Sequence, residues 1–266
     1  MYIKIYNIFY SMIELFTVWV KNEPSILIIT CMKSWLKLGY TLRLFTEAHL
    51  LPFFKSNLGN SVIYVDIDKA NTYTKVSKKY PPIFADEFRF GYLAENGGCW
   101  IDTDVFLIRP IENAETIIST EPTNQSGHFK SKKLFAPCIG VLKFKPNDPL
   151  IVKSYNKMIS TKIKPKKISM TSQMDLFKKI LKHKDFIHYE QYYSDKYCPI
   201  HYSFGKEIFT HPLPITKLKY NVAFPNNLLT NSNIRGIHLC NHHATIRNVD
   251  FNNIIKGTLW DKLLSL

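Results

Sequence analysis

The sequence predicts an α/β fold with a mixed central sheet, folded as a single domain over residues 1–266. First, strand and helix patterns alternate along the chain. Second, 45% of the 266 residues are hydrophobic and 14% are aromatic, which is enough to bury a sizeable core. Third, no internal repeat, low-complexity segment or linker rich in Gly and Pro interrupts the pattern. These observations exclude a disordered chain and a collagen-like one.

The first part of the chain has the pattern strand, helix, strand. Residues 16–20 form an apolar run typical of a buried strand. Residues 25–37 predict a helix that Gly39 ends, and residues 40–45 alternate as a strand does. Residues 62–67 predict another extended segment.

The middle of the chain predicts a helix followed at once by a strand. Residues 83–96 have the helical pattern, and Gly97 and Gly98 supply its C-terminal end. A strand is expected over residues 99–108. Beyond it, the alternation continues with apolar runs at residues 116–119 and 139–144 and helices at residues 149–160 and 172–182.

The apolar segments are too short to suggest a membrane span or a secretory leader. Residues 1–20 are interrupted by Lys4, Asn7, Ser11 and Glu14, and no small-residue cleavage site follows. We therefore expect a cytoplasmic protein. Its cysteines are scattered, odd in number and without a C-x-x-C pair, so buried reduced thiols are expected at Cys31, Cys99, Cys138, Cys198 and Cys240.

The chain is strongly basic. It has 35 Lys and Arg against 21 Asp and Glu, a formal net charge of +14. Three lysine clusters contribute: Lys130, Lys132 and Lys133; Lys162, Lys164, Lys166 and Lys167; and Lys178, Lys179, Lys182 and Lys184. Such clusters are often only a solvated face, but an anionic membrane surface, a phosphorylated or nucleotide-bearing substrate and nucleic acid are the alternatives. Charge alone does not choose among them.

An acidic pair follows the helix and its glycines. In an extended chain, Asp102 and Asp104 would point to the same side and reach one divalent cation. An isolated D-x-D is more often a turn or a cap, but here it directly follows an apolar strand in a chain poor in acids, which favours a metal site. Asp86 and Arg89, three residues apart on one helical face, can hold sugar hydroxyls between an acceptor and a forked donor.

These residues carry a family resemblance. The run A-D-E-F-R-F-G-Y-L-A-E-N-G-G-C-W-I-D-T-D-V over residues 85–105 resembles the sugar-binding D-x-D region of retaining glycosyltransferases of the family 32 type, which includes capsule and lipopolysaccharide enzymes. The resemblance implies the GT-A fold, a Rossmann-like nucleotide-sugar-binding fold with a mixed central sheet. It also implies transfer of a hexose with retention at the anomeric carbon.

The resemblance also implies roles for individual residues. Asp102 and Asp104 would hold Mn²⁺ or Mg²⁺ and take part in catalysis, with a histidine as the third ligand. The C-terminal segment supplies three candidates, of which His238 is preferred over His242 and His243. Substrate contacts are expected from Trp19 on the nucleotide base, from Asp86, Arg89, Asp102 and His242, and from Gln173 and Asp175 near the donor or acceptor sugar, Gln173 also as a catalytic candidate.

The expected reaction moves a hexose from a nucleotide sugar to a glycan or glycolipid acceptor such as lipopolysaccharide or capsule. A UDP-sugar is the preferred donor, ahead of a GDP-sugar. The basic clusters then suggest an anionic acceptor at the inner membrane face, with no nucleic-acid partner. A metal-dependent nuclease or phosphodiesterase is the alternative enzyme, and a binding module with a purely structural D-x-D is the non-enzymatic one. H-E-x-x-H, G-x-G-x-x-G, Walker and G-x-S-x-G motifs are all lacking, which argues against zinc hydrolases, dinucleotide-binding and P-loop proteins and serine hydrolases.

Overall fold

The computed structural model describes residues 13–124, 134–161 and 172–266. It confirms the pattern of the opening segments. The first elements are β1 (Glu14–Trp19), α1 (Ile26–Lys37), β2 (Thr41–Thr46) and β3 (Val62–Asp66). The first helix ends where expected, because Gly39 adopts a φ of 86° that other residues rarely tolerate.

Two short helices flank β3, and a long one follows them. They are α2 (Leu51–Leu58), α3 (Ile67–Ala70) and α4 (Pro81–Asn96). Proline suits the first turn of α4, since its missing N–H would have no helical partner there. The helix stops at Gly97, whose φ is 65° and whose N–H donates to the carbonyl of Leu93.

The prediction of one continuous strand over residues 99–108 is wrong. It is divided into β4 (Gly98–Ile101) and β5 (Val105–Leu107). The N–H of Val105 donates to the carbonyl of Asp102 over 3.0 Å, which closes a turn between the two strands. Beyond this turn β5 leaves the main sheet and pairs antiparallel with β11 (Gly236–His238). Asp102 and Asp104 are therefore placed by a turn rather than by an extended chain.

The rest of the chain keeps the expected alternation and adds a series of short elements. The four longer ones are β6 (Ile117–Pro122), β7 (Phe135–Phe144), α5 (Pro149–Ser160) and α6 (Ser172–Leu181). The short ones are β8 (Tyr193–Ser194), α7 (Glu207–Thr210), β9 (Leu218–Lys219), β10 (Val222–Ala223), α8 (Asn241–Thr245) and α9 (Leu259–Leu264).

The central sheet has seven strands in the order β3-β2-β1-β4-β7-β6-β8. The strands β3, β2, β1 and β4 are parallel, β7 is antiparallel to β4, and β6 is antiparallel to β7. The sheet is thus mixed, as predicted, and β6 runs in the same direction as β4. Because the carboxyl ends of β1, β4 and β6 meet at one edge, residues that follow these strands lie along that edge.

The two faces of the sheet are both covered. Neighbouring residues on one strand belong to different hydrophobic clusters: Leu15 and Cys99 to one, Phe16 and Trp100 to the other. The first cluster includes residues of α1, and the second includes residues of α4, α5 and α6. Since side chains alternate across a strand, the sheet lies between two helical layers.

All five cysteines are buried and free, as predicted. Across residues 13–124, 134–161 and 172–266, the helices are too short or too polar to cross a bilayer. The expected lysine clusters at residues 130–133 and 162–167 lie outside the described residues.

Candidate metal and sugar site

A turn and a distant strand bring three metal-ligating side chains together. The N–H of Asp102 donates to the carbonyl of Gly140 over 2.7 Å, which holds the start of the turn against β7. His238 ends β11, where it pairs with Val105 in the register of β5. One ligand atom each of Asp102, Asp104 and His238 lies within 4.8 Å of the others. These are the three residues expected to hold a metal.

The side chain of Asp104 is fixed on both of its oxygens. Its Oδ2 accepts the N–H of Asn241 over 2.8 Å, and its Oδ1 lies 3.2 Å from His238 Nε2. Burial alone would raise the pKa of Asp104, but the charge of His238 and these hydrogen bonds lower it on balance. Burial alone would lower the pKa of His238, and Asp104 instead raises it well above its usual value. The two form an ion pair that is charged at neutral pH.

Asp102 is held through one oxygen. Its Oδ1 accepts Trp100 Nε1 over 2.8 Å and lies 2.9 Å from Arg89 Nη2. Burial raises its pKa, a shift that the positive charge of Arg89 opposes. The hydrogen bonds of the carboxylate to the described side chains use Oδ1, so Oδ2 is left to bind a cation. Two carboxylates and one imidazole are ligands that Mn²⁺ accepts, so the three side chains fit a divalent cation.

Arg89 connects the acidic pair to the helix α4. Its Nη2 lies 3.1 Å from Asp86 Oδ1 as well as near Asp102, and its Nη1 donates to the carbonyl of Ile139 over 2.5 Å. The guanidinium also lies 4.4 Å from the centre of the Trp100 ring. Asp86 and Arg89 share one face, as predicted, but both are buried, with 6% and 4% of their surface exposed. Arg89 thus positions Asp102, while a direct contact of this pair with a sugar stays a prediction.

Burial strongly changes the pKa of the Asp86 carboxyl group. It raises the pKa of Asp86 to about 7, with Asp102 and Glu87 adding to the shift and Arg89 opposing it. A carboxyl group with this pKa exchanges its proton near neutral pH. The network around Arg89 therefore contains one carboxylate whose charge depends on pH.

The remaining candidate substrate residues are spread more widely. Trp19 ends β1 half-buried against the core, and its Nε1 donates to the carbonyl of Asn22 over 2.6 Å. Gln173 is 3% exposed, and its Nε2 has no hydrogen-bond partner among the described residues. Asp175 and His242 are exposed. No hydrogen bond or ion pair between described residues joins these four side chains to the triad, so their roles stay predictions.

The structure distinguishes among the histidines near the C-terminus. Cys240, with a left-handed φ of 53°, separates β11 from α8. The segment 238–243 is therefore not one helix, and His238 and His242 do not share a helical face. His238 is the histidine that lies with both aspartates.

Three supporting contacts were not expected from the sequence. They are the indole of Trp100 on Asp102, the carbonyl of Gly140 on the turn, and the N–H of Asn241 on Asp104. The contact of the indole could have been predicted, because Trp100 and Asp102 are only two residues apart in the sequence. The other two depend on strand pairing and on a distant turn, for which the sequence gives no local signal.

A cavity of about 340 Å³ lies away from the triad. Its lining includes Glu14, Gly98 and Lys143, which stand at the opposite edge of the sheet from Asp102. The metal-ligating side chains and the cavity are therefore separate features.

The fold and the site together define an α/β protein with an acidic turn at the carboxyl edge of its sheet. Residues 12–124 match a family described as glycosyltransferase sugar-binding region containing DXD motif. The match covers somewhat less than half of the chain and includes both Asp102 and Asp104. The match supports an enzyme of the transferase class.

Two solved structures are similar to this chain. A solved structure described as PaToxG Glycosyltransferase is 14% identical, over 68% of this chain and 74% of that one, with a TM-score of 0.46. A transferase mutant is 8% identical, over 68% of this chain and 90% of that one, with a TM-score of 0.44. No match was found among curated proteins.

Proposed function

We propose that this chain transfers a hexose from a nucleotide sugar to a glycan acceptor, with retention at the anomeric carbon. UDP is the expected nucleotide, by resemblance to family 32 enzymes. The observation that carries the proposal is the triad of Asp102, Asp104 and His238, whose two aspartates lie in the segment that matches a glycosyltransferase sugar-binding region. We further propose that residues 1–266 act as one domain, since the same sheet borders both hydrophobic clusters.

The triad would hold Mn²⁺ or Mg²⁺. Such a cation, when bound, neutralises negative charge on the departing diphosphate. Binding requires His238 to give up the proton that its ion pair with Asp104 now favours, so we expect metal affinity to fall at low pH. Asn241 keeps Asp104 oriented through its N–H, and Arg89 does the same for Asp102.

The donor would extend along the carboxyl edge of the sheet in both directions from the triad. Trp19, at the end of β1, is the expected platform for the nucleotide base. Nε2 of buried Gln173, which has no partner in the described part of the chain, would be available to a hydroxyl of the donor sugar. A buried amide without a partner is costly, which favours a ligand contact there. Asp175 and His242 are exposed and would contact substrate from the rim.

The expected acceptor is a surface glycan such as lipopolysaccharide or capsule, presented at the inner face of a membrane. The support is electrostatic: a net charge of +14 favours an anionic partner. Three lysines near the C-terminal end of α6 are exposed in the described part of the chain. Lys179 lies in the last turns of the helix, and Lys182 and Lys184 come just after it. We therefore propose that the protein is cytoplasmic and binds peripherally to the inner face of the membrane.

A thermal-shift screen tests the donor class. UDP, GDP and CMP are added to the wild type with and without Mn²⁺, because a ligand that binds the folded state raises Tm. We expect UDP to raise Tm only with the metal. The variant Asp104→Ala should lose this shift, whereas Glu115→Ala, an exposed carboxylate outside the site, should keep it. Stabilisation by nucleic acid, with none by a nucleotide, would support the nuclease instead.

A further inference from the structure

A second group of polar and aromatic side chains lies beside the triad. It consists of Asn124, His201, Tyr202 and His243, here called the ring cluster. We propose that the ring cluster is the subsite that binds a sugar of the acceptor glycan, a step that rests on the proposed function. None of its members takes part in the network around Arg89 or in the metal-ligating triad.

The position of Asn124 follows from the sheet. It comes two residues after the end of β6, which runs in the same direction as β4. Asn124 therefore lies at the same edge as Asp102, separated from β4 by one intervening strand, β7. Trp19, at the end of β1, stands on the other side of β4. This order places the ring cluster on the opposite side of the metal-ligating residues from the expected base platform.

A tight packing contact ties the ring cluster to the triad. A Cβ added at Gly205 would lie 2.9 Å from His243 Cβ and 3.3 Å from Cys240 Cβ. The turn that carries Tyr202 is thus pressed against the segment that begins two residues after His238. Asn241, in the same segment, donates its N–H to Asp104.

The three rings of the ring cluster pack against one another at a tilt. The centroids of His201 and Tyr202 are 4.2 Å apart with an interplanar angle of 36°, and those of Tyr202 and His243 are 4.9 Å apart at 32°. Burial lowers the pKa of His201 to about 4, helped by the charges of His243 and Lys219, and burial also lowers the pKa of His243. Both shifts favour the neutral form of the imidazole. An uncharged aromatic surface with polar edges suits a sugar ring better than a phosphate.

The ring cluster also has an unfilled hydrogen-bonding capacity. Asn124 is 8% exposed, and its Nδ2 donates to the Tyr202 hydroxyl over 3.4 Å. Its Oδ1 has no donor among the described residues. Nε2 of His201 likewise has no partner in the described part of the chain. Since a buried polar atom without a partner costs free energy, hydroxyl groups of a bound sugar would relieve this cost.

The test separates acceptor binding from donor binding in the variant Tyr202→Ala. Three quantities are measured: the Tm shift by UDP and Mn²⁺, hydrolysis of the UDP-sugar by water, and transfer to a panel of methyl hexosides. We expect the Tm shift and hydrolysis to stay within about twofold of wild type, and kcat/KM for the methyl hexoside to fall at least about tenfold. Asn124→Ala should give the same pattern with a smaller loss.

The matched control is Tyr192→Ala. Tyr192 is a partly exposed tyrosine near the opposite end of β6, since the adjacent Tyr193 pairs with Ile118. It should leave all three quantities unchanged. Equal losses of donor hydrolysis and transfer in Tyr202→Ala would place the ring cluster in the donor site, and unchanged transfer would remove it from the reaction. If the wild type itself neither binds nor hydrolyses a UDP-sugar, the proposed function fails first.

Discussion

At the scale of single residues, Arg89 is the centre of the site. It lies between Asp86 and Asp102 and donates to the carbonyl of Ile139. A buried arginine in contact with two carboxylates compensates their charges and fixes their directions. Loss of its charge would leave both acids buried and unpaired. The orientation of Asp102, a candidate metal ligand, is thus set by a helix that supplies none of the three candidate ligands.

The raised pKa of Asp86 leads to a prediction about pH and stability. Burial raises this pKa to about 7, whereas an aspartate in an unfolded chain has a pKa of about 3.9. The folded protein thus holds the proton more tightly, and the stability contributed by Asp86 decreases as pH rises from 4 to 7. Asp86→Asn removes this titration. The free energy of unfolding of wild type minus that of Asp86→Asn should therefore fall between pH 5 and 6.5, by at most about 1.4 kcal/mol per pH unit.

Urea unfolding at several pH values measures this difference. The control is Glu115→Gln, which changes an exposed carboxylate outside the site. Its difference from wild type should not depend on pH over the same range. A difference for Asp86→Asn that grows with pH would contradict the raised pKa.

At the scale of elements, two glycines join the helix of the site to its strand. Gly97 and Gly98 both have positive φ, 65° and 104°, and allow α4 to turn directly into β4. The backbone of Pro146 approaches this turn closely: a Cβ on Gly97 would lie 2.6 Å from Pro146 N. The connection between Arg89 and Asp102 therefore depends on a position where a side chain does not fit.

This close approach predicts the effect of Gly97→Ala. The control is Gly59→Ala, because Gly59 also has a positive φ, 76°, but no atom within 4 Å of an added Cβ. Both changes strain the backbone, whereas only Gly97→Ala adds a steric clash. We expect Gly97→Ala to lower the free energy of unfolding by about 2 kcal/mol more than Gly59→Ala. Urea unfolding checks this, and equal losses would mean that the turn can move away from Pro146.

At the scale of the whole molecule, the direction of the strands gathers the candidate residues. The ends of β1, β4 and β6 share one edge of the sheet and carry Trp19, Asp102 and Asn124 in spatial order. The donor and acceptor proposals divide this edge between them. The match to a glycosyltransferase sugar-binding region covers the part that ends at Asn124.

The net charge of the molecule predicts binding to an anionic bilayer. Vesicles with anionic lipids should bind the protein at low salt and release it as salt increases, because the attraction is screened. Replacing Lys179, Lys182 and Lys184 by Gln should weaken binding by about 1 kcal/mol for each lysine that faces the surface. Sedimentation with the vesicles measures this, with neutral vesicles as the control. Equal binding of wild type and variant would show that these lysines face away from the bilayer.

The sequence by itself determined the elements near the D-x-D. The period of apolar residues predicted α4, and Gly97 marked its end, because local burial and backbone freedom are properties of short segments. The same local information failed at residues 99–108, where pairing with β11 takes β5 out of the main sheet. An apolar run predicts that a strand is buried, but it does not say which partner strand it joins.

Only the tertiary structure decided how the site is completed. Asn241 and Asp104 are 137 residues apart in sequence, and their hydrogen bond exists because β5 and β11 pair beside them. The place of His238 among three candidate histidines, the turn that orients Asp102 and the ring cluster all depend on such distant contacts. The sequence names side chains that can bind a metal and a sugar, whereas the packing of separate elements decides which of them meet.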